Sequence, residues 1–250
     1  QREFAALYMG PSVESIPLAR LLLIFIPVLV VVLIQWRWSL SAGTTIYALI
    51  RMLSQLLVIG YVLVFLFRSD SPLVVSAVLL IMITVASWIA LRPLGDQRPR
   101  LYWVSVAAIT VGSLPVLILA TQVVININPW YEPRYLIPLA GMIFANTMNS
   151  VSIAAERYHA ELGTGHEPGE ARQHAFQAAM NPLINSLLAV GLVSLPGMMT
   201  GQVLSGVSPL IAARYQILVM CMLFGASGIG TACFLYWAQR FALLLPRPAD

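Results

Sequence analysis

Charged residues divide the chain into long uncharged windows, at 21–36, 52–67, 71–91, 101–131, 135–155, 173–213 and 215–239. A membrane-spanning helix needs about 20 mostly apolar residues, and arginines at its ends reach the interface along their aliphatic stems. The pattern therefore predicts an all-α, polytopic transmembrane bundle of about seven spans, within a range of six to eight. It reads as one transmembrane domain over 1–250, carrying a polar segment at about 156–182. The first two windows reach full length only with Arg20, Arg37, Arg51 and Arg68 at the interfaces. Window 21–36 is not followed by the small-residue cleavage site of a signal peptide, so it reads as a span.

Two connections stand out. The stretch 121–135 contains NINPWYEPR, and Trp130, Tyr131 and Tyr135 fit an aromatic belt at the membrane surface. The stretch 156–181 is the longest polar one, holds all three histidines, and breaks around Gly163, Gly165, Pro168 and Gly169. Beyond the break, Ala171, Ala175, Phe176, Ala179, Met180 and Leu183 recur at helical spacing, with Glu170, Gln173, His174 and Gln177 largely on the other face. This predicts a short amphipathic helix, which either lies in the lipid interface or docks a cytoplasmic partner. Glu170, Arg172, His174, Phe176 and Gln177 are the candidate docking residues.

The connections alternate between two sides. One holds Arg37, then Arg92, Arg98 and Arg100, then Arg157 and Arg172, then Arg240 and Arg247; the other holds Arg2, Arg20, Arg68, Arg134 and Arg214. The denser side is expected to be cytoplasmic, which puts the N-terminus outside and the C-terminus inside.

Composition agrees and narrows the chemistry. Hydrophobic residues make up 59% and charged residues 10% of 250, against about a quarter charged in a soluble domain. The net charge of +4 is too small and scattered to suggest nucleic acid. All 14 basic residues are arginine. Without lysine there is no Walker A loop to hold ATP phosphates and no Schiff base, so nucleotide-driven work would fall to another chain. Cys221 and Cys233, on one helix, would lie about 18 Å apart along its axis, too far for a disulfide.

Several groups are candidates for a substrate path, each with a plainer alternative. GLVSLPGMMTG at 191–201 sits inside an expected span, where Pro196 removes a backbone donor and predicts a kink or break beside Met198 and Met199. Arg51 and Gln55, one turn apart, form either a polar seam facing the bundle or a snorkelling pair. Asn146 and Asn149 are either helix glue or substrate contacts. Met142, Met148, Met198, Met199, Met220 and Met222 are apolar filler or, with Cys221, soft ligands for Cu(I). Glu156, His159, Glu161, His166, Glu167, Glu170 and His174 show no closed zinc spacing and read as a solvated surface. Gly225-Ala226-Ser227-Gly228 matches the GxSG of rhomboid proteases, but no histidine follows His174 to act as base, so it reads as small-residue packing.

Three blocks carry a family resemblance: RMLSQLLVIGYVLVFLF (51–67), IPLAGMIFAN (137–146) and GLVSLPGMMTGQVLSGVSPLIAARYQI (191–217). They resemble the Fet-type iron-export permeases, bacterial membrane subunits of ABC exporters whose plant relatives are linked to aluminium tolerance and UDP-glucose. With their spacing the blocks cover 46–237. The resemblance implies a metal exporter subunit, not itself an enzyme, in a bacterial plasma membrane. Two permeases would pair with two cytoplasmic ATP-binding subunits, which alone would carry ATP and magnesium, and the coupling element would map to 163–181. The family pattern has an acidic residue and a lysine just before GLVSLPG; this chain has Asn185 and Leu188 there. That departure leaves organic or nucleotide-sugar export as an alternative cargo, with a stand-alone receptor or intramembrane enzyme as a further class.

Overall fold

The computed structural model describes residues 17–67 and 71–240; Arg2, Arg68 and Arg247 lie outside the described residues. The chain forms two compact units, one made of the described residues up to 67 with Leu204–Gly206, the other of the remainder. Among the described residues there is helix throughout and no strand beyond an isolated bridge between Val190 and Ser194. In lipid a helix satisfies its own backbone groups, which is why an apolar chain of this kind takes this form.

In the first unit, turns at Leu18–Leu21 and Leu22–Ile24 lead into α1 (Phe25–Arg37), and α2 (Ala42–Leu66) follows. Leu29, Leu33, Leu56, Leu57 and Phe65 are exposed along them.

The second unit contains α3 (Pro72–Ala90), a 3₁₀ stretch Arg92–Gln97, α4 (Arg98–Ile118), a π turn Leu119–Val124, α5 (Pro133–Gly163), α6 (Pro168–Ala189), α7 (Gly197–Leu204) and α8 (Pro209–Arg240). Proline opens α3, α5, α6 and α8, where its missing N–H has no intrahelical partner to lose. The Arg98 side chain lies over the Trp88 ring at 3.9 Å and donates Nε to the Trp88 carbonyl at 2.7 Å, tying the start of α4 to the end of α3.

Helix α8 packs most extensively on α4, then on α5, while α6 packs on α5 and α8. Large side chains such as Phe144, Tyr158, Phe234 and Leu101 fill the core. At the α4–α8 crossing the backbones nearly touch: a Cβ on Gly112 would stand 2.5 Å from the Gly230 Cα and nitrogen and 2.8 Å from the Ala226 oxygen. Glycine at both positions permits that approach. Beside it, the Ser113 hydroxyl donates to Thr147 Oγ1 at 3.2 Å across to α5. The GxSG sequence is part of this packing, with Ala226 and Ser227 buried in α8. Cys221 and Cys233 are both free.

Among the described residues, five helical stretches are by length and composition long and apolar enough to cross a membrane, and Leu22–Arg37 is a shorter apolar helix. The polytopic helical reading therefore holds, but window 173–213 is not one span. The expected short amphipathic helix and the start of that span are a single helix, α6, of 22 residues or about 33 Å. Its face Ala171, Ala175, Ala179 and Met180 is buried against the bundle, so these small residues serve helix packing and do not lie against lipid. The Pro196 segment ends the helix outright. Gly191 at φ +84° and Gly206 at φ +88° take left-handed conformations on either side of α7, which is eight residues long.

Candidate functional site

The second unit has two polar regions, one at each end of α5. At the C-terminal end, the Glu161 side chain is only 6% exposed. Arg157, one turn earlier, pairs with its Oε1, while His166 Nδ1 and His174 Nδ1 stand 3.1 and 3.3 Å from its Oε2. The two imidazoles meet edge-on with centroids 5.8 Å apart. The short connection through Thr164 and Gly165 turns the chain back so that α6 brings His174 over the end of α5. Nearby, Arg172 Nη1 donates to Gln239 Oε1 at 3.0 Å, tying the first turns of α6 to the last turn of α8. Arg172, Gln173 and Phe176 of α6 and Ala232, Leu235 and Tyr236 of α8 line a groove of about 420 Å³.

At the other end of α5 lies a cavity of about 500 Å³. Arg134, Tyr135, Pro138, Leu139 and Met142 line it from one face of α5, Met198 and Gln202 from α7, Tyr215 from α8, with Ile125 and Val207 from the connections. Gln202 Oε1 is buried and has no hydrogen-bond partner among the described residues. Arg134 has no ion-pair partner among the described residues. The π turn beside it places Gln122, whose Nε2 donates to the Trp130 carbonyl at 3.4 Å.

Of the sequence-predicted path residues, Met198 reaches the cavity, together with Met142. Asn146 follows Met142 by one turn and Asn149 continues toward the middle of α5; Asn146 is half-buried, Asn149 exposed. Asn146 Nδ2 donates to the Met142 carbonyl at 2.9 Å, within its own helix. Pro196, just before α7, and Met199, within it, are half-buried. Arg51 and Gln55 belong to the first unit, on α2, half-buried and exposed respectively. Of the docking candidates, Arg172 and Phe176 line the groove, His174 faces Glu161, and Glu170 and Gln177 are exposed. Asn185 and Leu188 are exposed near the end of α6.

The acidic and histidine residues do not form a uniformly solvated surface. Glu156, Glu167 and Glu170 are exposed, but Glu161 is a buried hub. The Arg157–Glu161 spacing of four was a legible signal for part of it. Gln202, Tyr215 and Arg134 gave none, because nothing local says that α5, α7 and α8 converge there. No group of three or more His, Cys, Asp or Glu among the described residues is placed to hold a metal ion.

The family model described as Uncharacterised protein family (UPF0014) matches residues 18–242, nearly the whole described chain. The chain belongs to this family. Among its relatives, the UPF0014 membrane protein slr1647 of Synechocystis is 39% identical, covering 80% of this chain and 83% of its own length. Protein ALUMINUM SENSITIVE 3 of Arabidopsis thaliana is 33% identical, over 86% of this chain and 84% of its own. The Probable iron export permease protein FetB of Escherichia coli is 32% identical, over 91% of this chain and 92% of its own. No solved structure matches. The family match covers all the helices from α1 to α8, and with the apolar helices it establishes an integral membrane protein.

Proposed function

We propose that this chain is the membrane-spanning permease subunit of an ABC exporter of iron or another metal ion, in a bacterial plasma membrane. The observation that carries this is the match to the iron export permease over 92% of that protein's length, in a chain without the lysine a phosphate loop needs. The chain is then a conduit and not an enzyme. Two copies work with two cytoplasmic ATP-binding subunits, which hold the ATP and magnesium. Its N-terminus is outside and its C-terminus inside, with the cluster Arg92, Arg98 and Arg100 on the cytoplasmic face.

Seven crossings are α1 and α2 of the first unit and α3, α4, α5, α6 and α8 of the second. Helix α6 starts where Arg172 meets the end of α8, and α7, which follows it, lines a cavity with the start of α5 and α8. So α6 runs the length of this unit, and α8 returns. One rigid helix thus links the docking groove around Phe176 to the cavity around Met198 and Gln202. ATP-driven closure of the partner pushes on Glu170, Arg172, His174, Phe176 and Gln177. That push moves α7 through α6 and switches access to a path that includes Asn146, Asn149, Pro196, Met198 and Met199.

The test is co-purification from native membranes with the ATP-binding protein encoded beside it. A stoichiometric complex whose ATPase activity responds to the permease is expected. A chain that is purified intact and never carries an ATP-binding protein would sink the proposal.

A further inference from the structure

The cavity at the Arg134 end has a chemistry of its own. A divalent metal ion such as ferrous ion, stripped of water, is held chiefly by carboxylate or imidazole donors. Neither lines this cavity, whose Met142 and Met198 thioethers suit only a soft ion; its charged lining residue is the cation Arg134. A guanidinium has five N–H donors in a planar fork and no acceptor, and it matches a carboxylate or phosphate. The second polar group is Gln202, whose buried oxygen lacks a donor. A buried acceptor left unpaired is unfavourable, so a ligand bringing a hydroxyl or amine would relieve it. Tyr135 and Tyr215 add phenol groups, while Met142, Leu139 and Pro138 give an apolar wall. The volume of about 500 Å³ is that of a site for a compact organic molecule.

We infer that this cavity binds a compact organic anion, with its carboxylate or phosphate on Arg134 and a neighbouring hydroxyl or amine donating to Gln202 Oε1. With a guanidinium and no carboxylate or imidazole in the lining, a bare divalent cation such as ferrous ion is not its ligand. Binding here stands on the cavity alone; only the statement that the ligand is cargo rests on the permease reading. If so, metal leaves this protein as the anionic complex of an organic acid, or an organic anion is itself carried. An anionic lipid headgroup offers the same chemistry as a soluble acid, and the two sources are separable.

The full chain is reconstituted in phosphatidylcholine nanodiscs, without any ATP-binding subunit, and thermal unfolding is followed with citrate, glycerol 3-phosphate or ferrous ion alone. A parallel series replaces part of the phosphatidylcholine with phosphatidylglycerol. A soluble anion is expected to raise the unfolding temperature dose-dependently, and Arg134→Gln to weaken that effect about tenfold through loss of charge-assisted bonds. Arg134→Lys should recover part of it, and Gln202→Leu should weaken it less than Arg134→Gln. Stabilisation only in phosphatidylglycerol discs, lost with Arg134→Gln, identifies the anion as a lipid headgroup. The inference is overturned if no anionic probe, soluble or lipid, gives an Arg134-dependent shift. It is also overturned if ferrous ion alone stabilises wild type and Arg134→Gln equally. These outcomes are independent of co-purification, so the failure of one proposal leaves the other standing.

Discussion

The two ends of α5 carry opposite solutions to the problem of a polar group near a membrane. At the Gly163 end, Glu161 is buried and surrounded by Arg157, His166 and His174, and the chain turns tightly into α6. At the Pro133 end, Arg134 has no ionic partner among the described residues and borders open space. The difference follows from the neighbours. The closed end is capped by two long helices, α6 and α8, tied together by Arg172 and Gln239. The open end faces α7, a short helix between glycines at positive φ, which has little packing of its own. A fixed end and an adaptable end on one helix are what a conformational relay requires.

The largest effect is expected at the tight α4–α8 crossing, which packs against Thr147 in the middle of α5. Gly112→Ala places a methyl group 2.5 Å from the Gly230 backbone, which cannot rotate away as a side chain could. Helices α4 and α8 must separate, at a cost of about 1–3 kcal/mol or more. Both ends should loosen together, seen as a lower unfolding temperature in detergent. Gly225→Ala, with nothing within 4 Å of the new carbon, is the control and should shift stability by no more than about 0.5 kcal/mol. Equal effects from the two would show that the close crossing is not what unites the ends.

Next comes Glu161→Ala, which removes the acceptor that gathers Arg157, His166 and His174. The closed end should open while the cavity end keeps its form. Limited proteolysis within 163–167 is expected to accelerate severalfold, with Arg134-dependent ligand binding unchanged. Unchanged proteolysis would mean that the apolar packing of Tyr158 and Leu162 closes this end without the ion cluster.

How much of this was written locally follows the same division. The spans, the Pro196 break and the polar character of 156–181 are visible because each depends on residues near one another in sequence. The fusion of the amphipathic segment with the next span is not legible, because a proline such as Pro182 ordinarily interrupts a helix or opens a new one. In α6 it is tolerated inside the helix. The rank of Glu161 above Glu156 and Glu170 depends on α6 folding back, which no local spacing declares. The cavity is least legible, since its polar residues come from α5, α7 and α8, far apart in sequence. Of its lining residues the sequence points to Met198, for the break in its segment, and to Met142, as one of several methionines, but not to Arg134, Gln202 or Tyr215 as parts of one site.

Phe176→Ala probes whether the closed end is also where force enters. The side chain is half-buried in the groove with Leu235 and Tyr236, so stability should fall only modestly. Under the exporter proposal, affinity for the ATP-binding subunit should fall about tenfold or more, as for an aromatic anchor at an interface. Titration of the reconstituted complex reads it. Unaltered affinity with normal folding would move the docking surface elsewhere on the closed end.

The smallest effect is expected from Asn146→Ala, between the two ends. Its amide donates to the Met142 carbonyl, which as a helical acceptor is already satisfied by the backbone, so the bond is local and partly redundant. Its loss should cost no more than about 1 kcal/mol and shift the unfolding temperature by a few degrees at most. Yet Met142 lines the cavity, and Asn146 is one turn deeper along the same helix. Transport in vesicles is therefore the sharper readout. Unchanged transport confines the adaptable region to the outer two turns of α5, from Arg134 to Met142. Impaired transport with unchanged unfolding extends it to the middle of the helix, and the boundary between the fixed and adaptable ends moves to the Thr147 contact with Gly230.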